Sequence, residues 1–336
     1  MAVTIKDIAK IAGVTHSTVS RCLNDRPGVS DAMRLKIKQI AQDLEFEFNA
    51  NARGLNTSKT GTIGIIVNED DTDGQPHIFT NTFLRHIRQQ LEEHDLDTLT
   101  TFSHNNFSGK DNILKLVNRR KVDGLIILSN NIGTDSIRFL HEKLFPFIYA
   151  HQVPPETAET VNAVYCDHFR GGYLAAKHLL DRGYRKPLCL SRRDNRTEFL
   201  LRTRGFVSAL DDAGIPFDDN AIVPVEGFLH SGPGIIETIL PLLKNHDAIF
   251  AHTDLIALVV MKELTRRGVR IPEDMAVIGY DNIELCSFFE PNLTTIAQPA
   301  KQISIQTCNS LIKILSGSTE HNRIIIQPEL VVRNST

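Results

Sequence analysis

The sequence predicts an α/β protein, in which a small amino-terminal helix-turn-helix bundle precedes a two-lobed core of parallel sheets. Three observations lead there. Apolar residues in the first 44 positions recur at helical spacing. Residues 46–60 form a break rich in Asn and Thr. From Thr62 onward, short apolar runs alternate with helical stretches. At 336 residues, with 41% hydrophobic and 23% charged side chains, the chain has material for two or three domains.

Ile5, Ile8, Ala9 and Ala12 fall at i, i+3, i+4 and i+7, the stripe of a short amphipathic helix. Gly13 permits a sharp turn, and Thr15 is placed to cap a second helix whose inward face is Val19, Cys22 and Leu23. After the loop DRPG at 25–28, Ser30 can cap a third helix that buries Met33, Ile37, Ile40, Ala41 and Leu44. In a helix-turn-helix unit the second helix enters the DNA major groove. Its outward face here suits that role, since Arg21 can fork onto guanine, His16 and Ser17 can reach groove atoms, and Ser20 and Asn24 can bond phosphate oxygens. A solvated polar face on a helical bundle is the alternative these residues leave open. Charge leans toward DNA, since residues 1–60 hold nine Lys+Arg against six Asp+Glu (net +3), leaving 28 against 34 (net -6) for the rest.

Residues 46–60, FEFNANARGLNTSKT, are a linker with at most one short helix, marginal by itself. The apolar runs that follow are TIGIIV, VDGLIIL, PFIYA, VNAVYC, PLCLS, DAIFAH, MAVIGYD and RIIIQPELVV. Such alternation implies parallel sheets covered by helices, and about 270 residues suit two lobes better than one. No run approaches eighteen apolar residues and MAVTIKDIAK has no secretory character, so the expected location is the cytosol, with no membrane partner. Five scattered cysteines fit reduced, packed thiols rather than a disulfide framework or a zinc site.

The order TIKDIAKIAGVTHSTVSRCLN, VS at Val29 and Ser30, then NANARGLN resembles the DNA-binding headpiece of the lactose/galactose repressor family of bacterial transcriptional regulators. The likeness continues through TGTIGIIV, RRKVDGLIIL, DRGYRKP, RTRGF, RRGVRIPEDMAVIGYDN and LTTIAQP, and so covers nearly the whole chain. It implies a headpiece at 1–46, a hinge helix and linker at 47–60, and a periplasmic-binding-protein-like core at 61–336. Within that core it implies an N-lobe of about 61–160 plus 292–320 and a C-lobe of about 161–291 plus 321–336. By the same resemblance His16, Ser17 and Arg21 read bases. Thr4, Ser20, Asn24 and Ser30 contact phosphate, with Thr15 at the helix start. Asn49, Ala52 and Leu55 belong to the hinge, where Leu55 wedges into the minor groove and kinks the duplex. Gly54 costs that hinge roughly 1 kcal/mol against Ala, so it should fold only with DNA and a second hinge present; close approach of two hinge helices is a compatible reason for the glycine.

In the core, the resemblance places Arg202, Asp281 and Gln298 at effector contacts, with Phe79, His151 and Thr253 around them. A planar guanidinium and a carboxylate suit paired hydroxyls. The alternatives are an interlobe ion pair for Arg202, a strand-end carboxylate capping a turn for Asp281, and a core role for Phe79. Departures from the family include Thr253 where Asn is common, His151 where Asp is common, and the acidic loop NEDDTDGQPHIF at 68–79. Asp254 is expected only to cap its helix. The effector expected is a saccharide, with a purine corepressor as runner-up. CDH at 166–168 is a poor metal site because its residues are sequential, and Asp167 is better placed as a helix cap. SGPG lacks the third glycine of a phosphate cradle, and no catalytic motif occurs. The expectation is therefore a homodimeric repressor of near-palindromic operator DNA, without cofactor or metal. A plain sugar-binding protein or an enzyme is the rival class.

Overall fold

The computed structural model describes residues 3–23, 25–44, 46, 59–68, 78–129, 132–152, 161–193, 196–225 and 232–336. Two compact units divide the chain, Met1–Thr60 and Gly61–Thr336.

The first unit is built from α1 (Ile5–Ala12), α2 (His16–Leu23) and α3 (Asp31–Asp43). Its small core is Ile8, Ala9, Ala12, Val19, Cys22, Ile37 and Ala41, with Ile5, Leu23, Met33, Ile40 and Leu44 packed against it. The turn after α1 takes Gly13 to φ 70, a left-handed conformation that glycine adopts without strain. Ser30 caps α3 by accepting the Met33 amide at 3.4 Å.

The second unit holds two six-stranded sheets. The elements are β1 (Thr62–Val67), α4 (Ile78–Glu92), β2 (Asp97–Phe102), α5 (Asn112–Asn118), β3 (Gly124–Leu128), α6 (Thr134–Glu142), β4 (Phe147–His151) and β5 (Ala163–Cys166). There follow α7 (His168–Asp181), β6 (Pro187–Arg192), α8 (Thr197–Asp212), β7 (Ile222–Val225), α9 (Gly232–Ile239), β8 (Ala248–Ala251), α10 (Asp254–Arg266), β9 (Ala276–Asp281) and β10 (Thr294–Ala297). The last elements are α11 (Ala300–Leu315), β11 (Arg323–Ile326) and β12 (Glu329–Val331). The first sheet runs β11-β5-β4-β3-β1-β2 and the second β12-β10-β9-β8-β6-β7. Every pairing is parallel except β10 with β12.

Both faces of each sheet are covered. Ile63, Ile65 and Val67 pack on one side of β1 with Phe83, Ile87 and Ile303, while Ile66 packs on the other with Ile113 and Leu140. That is why the central strands are continuous apolar runs rather than alternating ones.

The lobe boundaries differ from those expected. Residues 161–166 are expected in the C-lobe, but β5 pairs with β4 in the first sheet; residues from 292 are expected in the N-lobe, but β10 pairs with β9 in the second. RIIIQPELVV is divided: β11 closes the edge of the first sheet and β12 that of the second, with Gln327 and Pro328 between them. Proline has no N–H for a ladder, so the strand stops there and the chain crosses. It also crosses at Asp167, between β5 and α7, and at 298–299, between β10 and α11. Among the described residues no helix is long and apolar enough to span a membrane, and all five cysteines are buried free thiols.

Candidate functional site

On the headpiece, α2 presents His16, Ser17 and Arg21 exposed on one face, while Val19 and Cys22 are buried beneath. Thr15 accepts the Thr18 amide at 3.3 Å, and its hydroxyl lies 2.9 Å from that of Ser17. This fixes the start of the helix. Thr4 does not offer a free hydroxyl: it donates to Asp7 at 2.7 Å while its amide donates to the same oxygen at 2.8 Å, and these bonds hold the Asp7 carboxyl below its ordinary range. Ser20 is half-buried and Ser30 is the cap of α3. Asn24, Asn49, Ala52, Gly54 and Leu55 lie outside the described residues, as do positions 69–77 of the acidic loop.

In the second unit, the other expected residues lie at strand ends (His151, Asp281), just beyond strands (Thr253, Gln298) and on helices (Phe79, Arg202). Arg202 on α8 is 2% exposed. Its guanidinium stacks 3.7 Å from the centre of the Tyr280 ring, donates to the His252 carbonyl and lies 3.6 Å from Asp281 Oδ1. Its Nε faces His168 Nδ1 at 3.5 Å. The ion pair expected as an alternative for Arg202 is thus present, but both partners belong to the second lobe rather than bridging the two. Gln298 donates its Nε2 to Asp281 Oδ1 at 2.7 Å. Burial pushes the Asp281 carboxyl up to about 7, against the opposing pull of Arg202.

The backbone of this region is strained. His151, at the end of β4, has φ 67, and Asp281 and Asn282, at the end of β9, have φ 119 and 55. Non-glycine residues in such conformations persist only where their surroundings hold them. For Asp281 the holder is Asp254. Its carboxylate accepts the Ile283 amide at 2.9 Å and the Thr295 hydroxyl at 2.5 Å, and Thr295 in turn accepts the Asn282 amide at 3.4 Å. The role expected of Asp254 is therefore corrected. Thr253 is the cap of α10, accepting the Ile256 amide at 3.3 Å, and Asp254 is a buried brace for the 281–283 turn. With its hydroxyl spent on the cap, Thr253 is not brought to the Arg202–Asp281 pair by any contact described.

The first lobe contributes His151 and Phe79. The His151 ring stacks on Phe83 at 4.7 Å between centroids, meets Phe79 edge-on at 5.3 Å and lies 6.4 Å from His168. Phe79 also lines a cavity of about 470 Å³ with Asn81, Thr82, Arg85, Asp281, Asn282, Glu284 and Gln298, so its walls come from both lobes. Among the described residues, two buried polar atoms at this junction have no hydrogen-bond partner, Gln298 Oε1 and His151 Nδ1. Burial pulls His151 down to about 3 and holds His168 and His252 well below the ordinary imidazole range, with Arg202 adding to each shift. The imidazoles are neutral. The sequence brings His168 to notice only within CDH, as a metal ligand, while Asp167 beside it caps α7 as expected, accepting the Arg170 amide at 2.8 Å. Tyr280 and His252 carry no such signal, although Tyr280 stands inside the GYDN motif that draws attention to Asp281.

Models of known families match at both ends of the chain: "Bacterial regulatory proteins, lacI family" over residues 4–49, and "Periplasmic binding protein-like domain" over 176–336. The HTH-type transcriptional repressor PurR of Photobacterium profundum is 30% identical over 99% of this chain and 98% of its own. The chain belongs to the lacI family. This lacI-family protein is accordingly a DNA-binding transcriptional regulator with a ligand-binding core. Among solved structures, the transcriptional regulator CelR–cellobiose complex superposes with a TM-score of 0.72 at 26% identity, covering 99% of this chain and 100% of that one. A LacI family regulator from Enterococcus faecium with bound ribose superposes with a TM-score of 0.71 at 31% identity, covering 82% of this chain and 98% of that one.

Proposed function

We propose that this lacI-family protein acts as a dimeric repressor whose operator affinity is set by a neutral saccharide held between its two lobes. One observation carries the choice of ligand. The interlobe cavity is lined by Gln298, whose buried Oε1 has no hydrogen-bond partner among the described residues, and by Asp281, whose nearest cation is already engaged beside it. Asp281 is matched by Arg202, and Arg85 and Glu284 on the same wall are of opposite sign, so the lining offers both donors and acceptors without a marked net charge, which suits the hydroxyls of a neutral ligand. Sugars bound by two relatives, cellobiose and ribose, support the same class. Asp281 and Gln298 would accept from ligand hydroxyls, with Phe79 packing against the apolar face of the ring. A ligand touching walls from both lobes would favour one degree of closure over another. Its coupling to operator binding is reciprocal and typically about 1–3 kcal/mol.

On the headpiece we assign His16, Ser17 and Arg21 to base reading, and Ser20, Ser30 and the amino end of α2 to phosphate. The dimer follows from the DNA: one such helix covers a short half-site, and two copies related by a two-fold axis cover a near-palindrome.

The test of the effector assignment is Asp281→Asn in the full-length protein. Response to the effector should be lost while operator affinity in its absence is kept; an intact response moves the site elsewhere. The effector itself comes from thermal-shift screening against mono- and disaccharides, their phosphates and purines. A selective shift with a neutral saccharide supports the reading, and one with a purine or a phosphate alone overturns it.

A further inference from the structure

We propose that Arg34 is a positioning residue for base reading: from α3 it grips the carboxyl end of α2 and, with Asp25 and Lys38, sets how Arg21 is presented to the groove. This rests on the reading of α2 as the helix that enters the groove.

The carboxyl end of α2 closes in two backbone bonds, Arg26 N–H to the Arg21 carbonyl at 2.9 Å and Asp25 N–H to the Cys22 carbonyl at 3.4 Å. That pattern requires a left-handed residue after the helix, ordinarily glycine. Here the residue is Asp25, at φ 49. What offsets the strain is its carboxylate, which accepts from Lys38 Nζ at 2.8 and 3.1 Å and from Arg34 at 3.2 Å.

Arg34 does more than pair with Asp25. Its guanidinium donates to the carbonyls of Arg21 at 3.3 Å, Cys22 at 3.3 Å and Arg26 at 2.8 Å. The last carbonyls of a helix carry partial negative charge and lack partners within it. One cation on α3 therefore ties the last turn of α2, through the Arg21 and Cys22 carbonyls, to the turn that follows it, through the Arg26 carbonyl. Its side chain is 18% exposed, so the fork is spent inside the protein rather than held out toward a phosphate. The Arg21 carbonyl is bonded both by the turn and by Arg34, which ties the backbone of the exposed Arg21 directly to α3.

A direct phosphate contact and a positioning clamp predict different salt behaviour, because each lost phosphate contact lowers the slope of log affinity against log salt by about one. Full-length wild type, Arg34→Gln and Arg34→Lys are titrated with the selected operator and with random duplex over a salt series. Arg34→Gln should weaken operator binding by at least about fivefold, with the slope and the affinity for random duplex unchanged. It should also broaden the base preference at the same half-site position that Arg21→Ala broadens. Arg34→Lys keeps the charge but not the fork and should restore only part of the loss. Asp25→Asn, which tolerates the left-handed backbone, should show an intermediate loss with unchanged helical circular dichroism, separating the clamp from general unfolding. A shallower slope, equal weakening of random duplex, or wild-type base preference in Arg34→Gln overturns the proposal. Wild-type protein that selects no operator overturns the groove-entry reading and this inference with it, whereas selection by wild type and Arg34→Gln alike overturns this inference alone.

Discussion

Arg202 shows how a charge is kept inside this protein. Its donors go to the His252 carbonyl and His168, its face to Tyr280, and its charge to Asp281. Because Arg202 Nε–H donates to His168 Nδ1, the proton of that neutral ring sits on Nε2. A histidine whose folded pKa lies well below its unfolded value contributes stability above pH ~6.5 that is lost as pH falls toward the folded value. Asp281, raised to about 7, acts in the opposite sense: its contribution is full below the ordinary carboxylate range and lost as pH rises through about 7. Comparing wild type with His168→Asn by urea unfolding isolates the imidazole. The wild-type advantage should shrink by up to about 1.4 kcal/mol per pH unit as pH falls from ~6.5, and a pH-independent difference would contradict buried neutrality. On the headpiece, Arg21→Ala should relax base preference at one half-site position by about 1–3 kcal/mol; binding-site selection with unaltered specificity would remove Arg21 from base reading. Of these residues, Arg202, Asp281 and Gln298 were legible in the sequence through their motifs. His168 and His252 were not, because they join Arg202 only by tertiary contact, 34 and 50 residues away along the chain.

At the scale of elements, α7 and α8 carry the site by touching backbone to backbone. A Cβ at Gly172 would collide with the Arg202 carbonyl, and one at Gly205 with the Phe169 carbonyl. Gly172→Ala should therefore push α8 away, destabilise the core by about 1–3 kcal/mol and weaken effector binding through displaced Arg202. Gly234→Ala in α9, where a Cβ meets nothing within 4 Å, should be neutral or stabilising by about 0.5–1 kcal/mol. Urea melts of the two variants check the pair, and equal destabilisation would contradict the close helix crossing. The strands show where pattern suffices. β1, β3, β4, β6, β8 and β9 were visible as apolar runs because both their faces are covered. β2 and β7 lie at sheet edges, where DTLTTF remains partly exposed and IVPV tolerates Pro224, since an edge strand has no ladder partner on one side. β10 does not stand out as an apolar run because TTIA places Thr294 and Thr295 in the interior, their hydroxyls paired with Thr336 and Asp254.

At the scale of the molecule, the charge of -3 divides into +3 for residues 1–60 and -6 for the remainder, so the net positive charge that favours DNA lies in the smaller unit. Operator affinity should accordingly fall steeply with salt while saccharide affinity is nearly indifferent to it, a contrast readable by titration at low and high ionic strength. Similar salt dependence for both would contradict the division of labour between the units. The two binding events are linked, so the saccharide that shifts operator affinity must have its own affinity shifted equally by operator. Ligand-controlled operator binding is measured most directly by letting the full-length protein select from a pool of random duplexes, then repeating the selection with the identified saccharide present. Enrichment of one near-palindrome with two half-sites is expected, with an affinity for it that the saccharide changes. Recovery of unselected sequence, or a palindrome whose affinity no ligand of the core alters, would contradict a saccharide-responsive repressor.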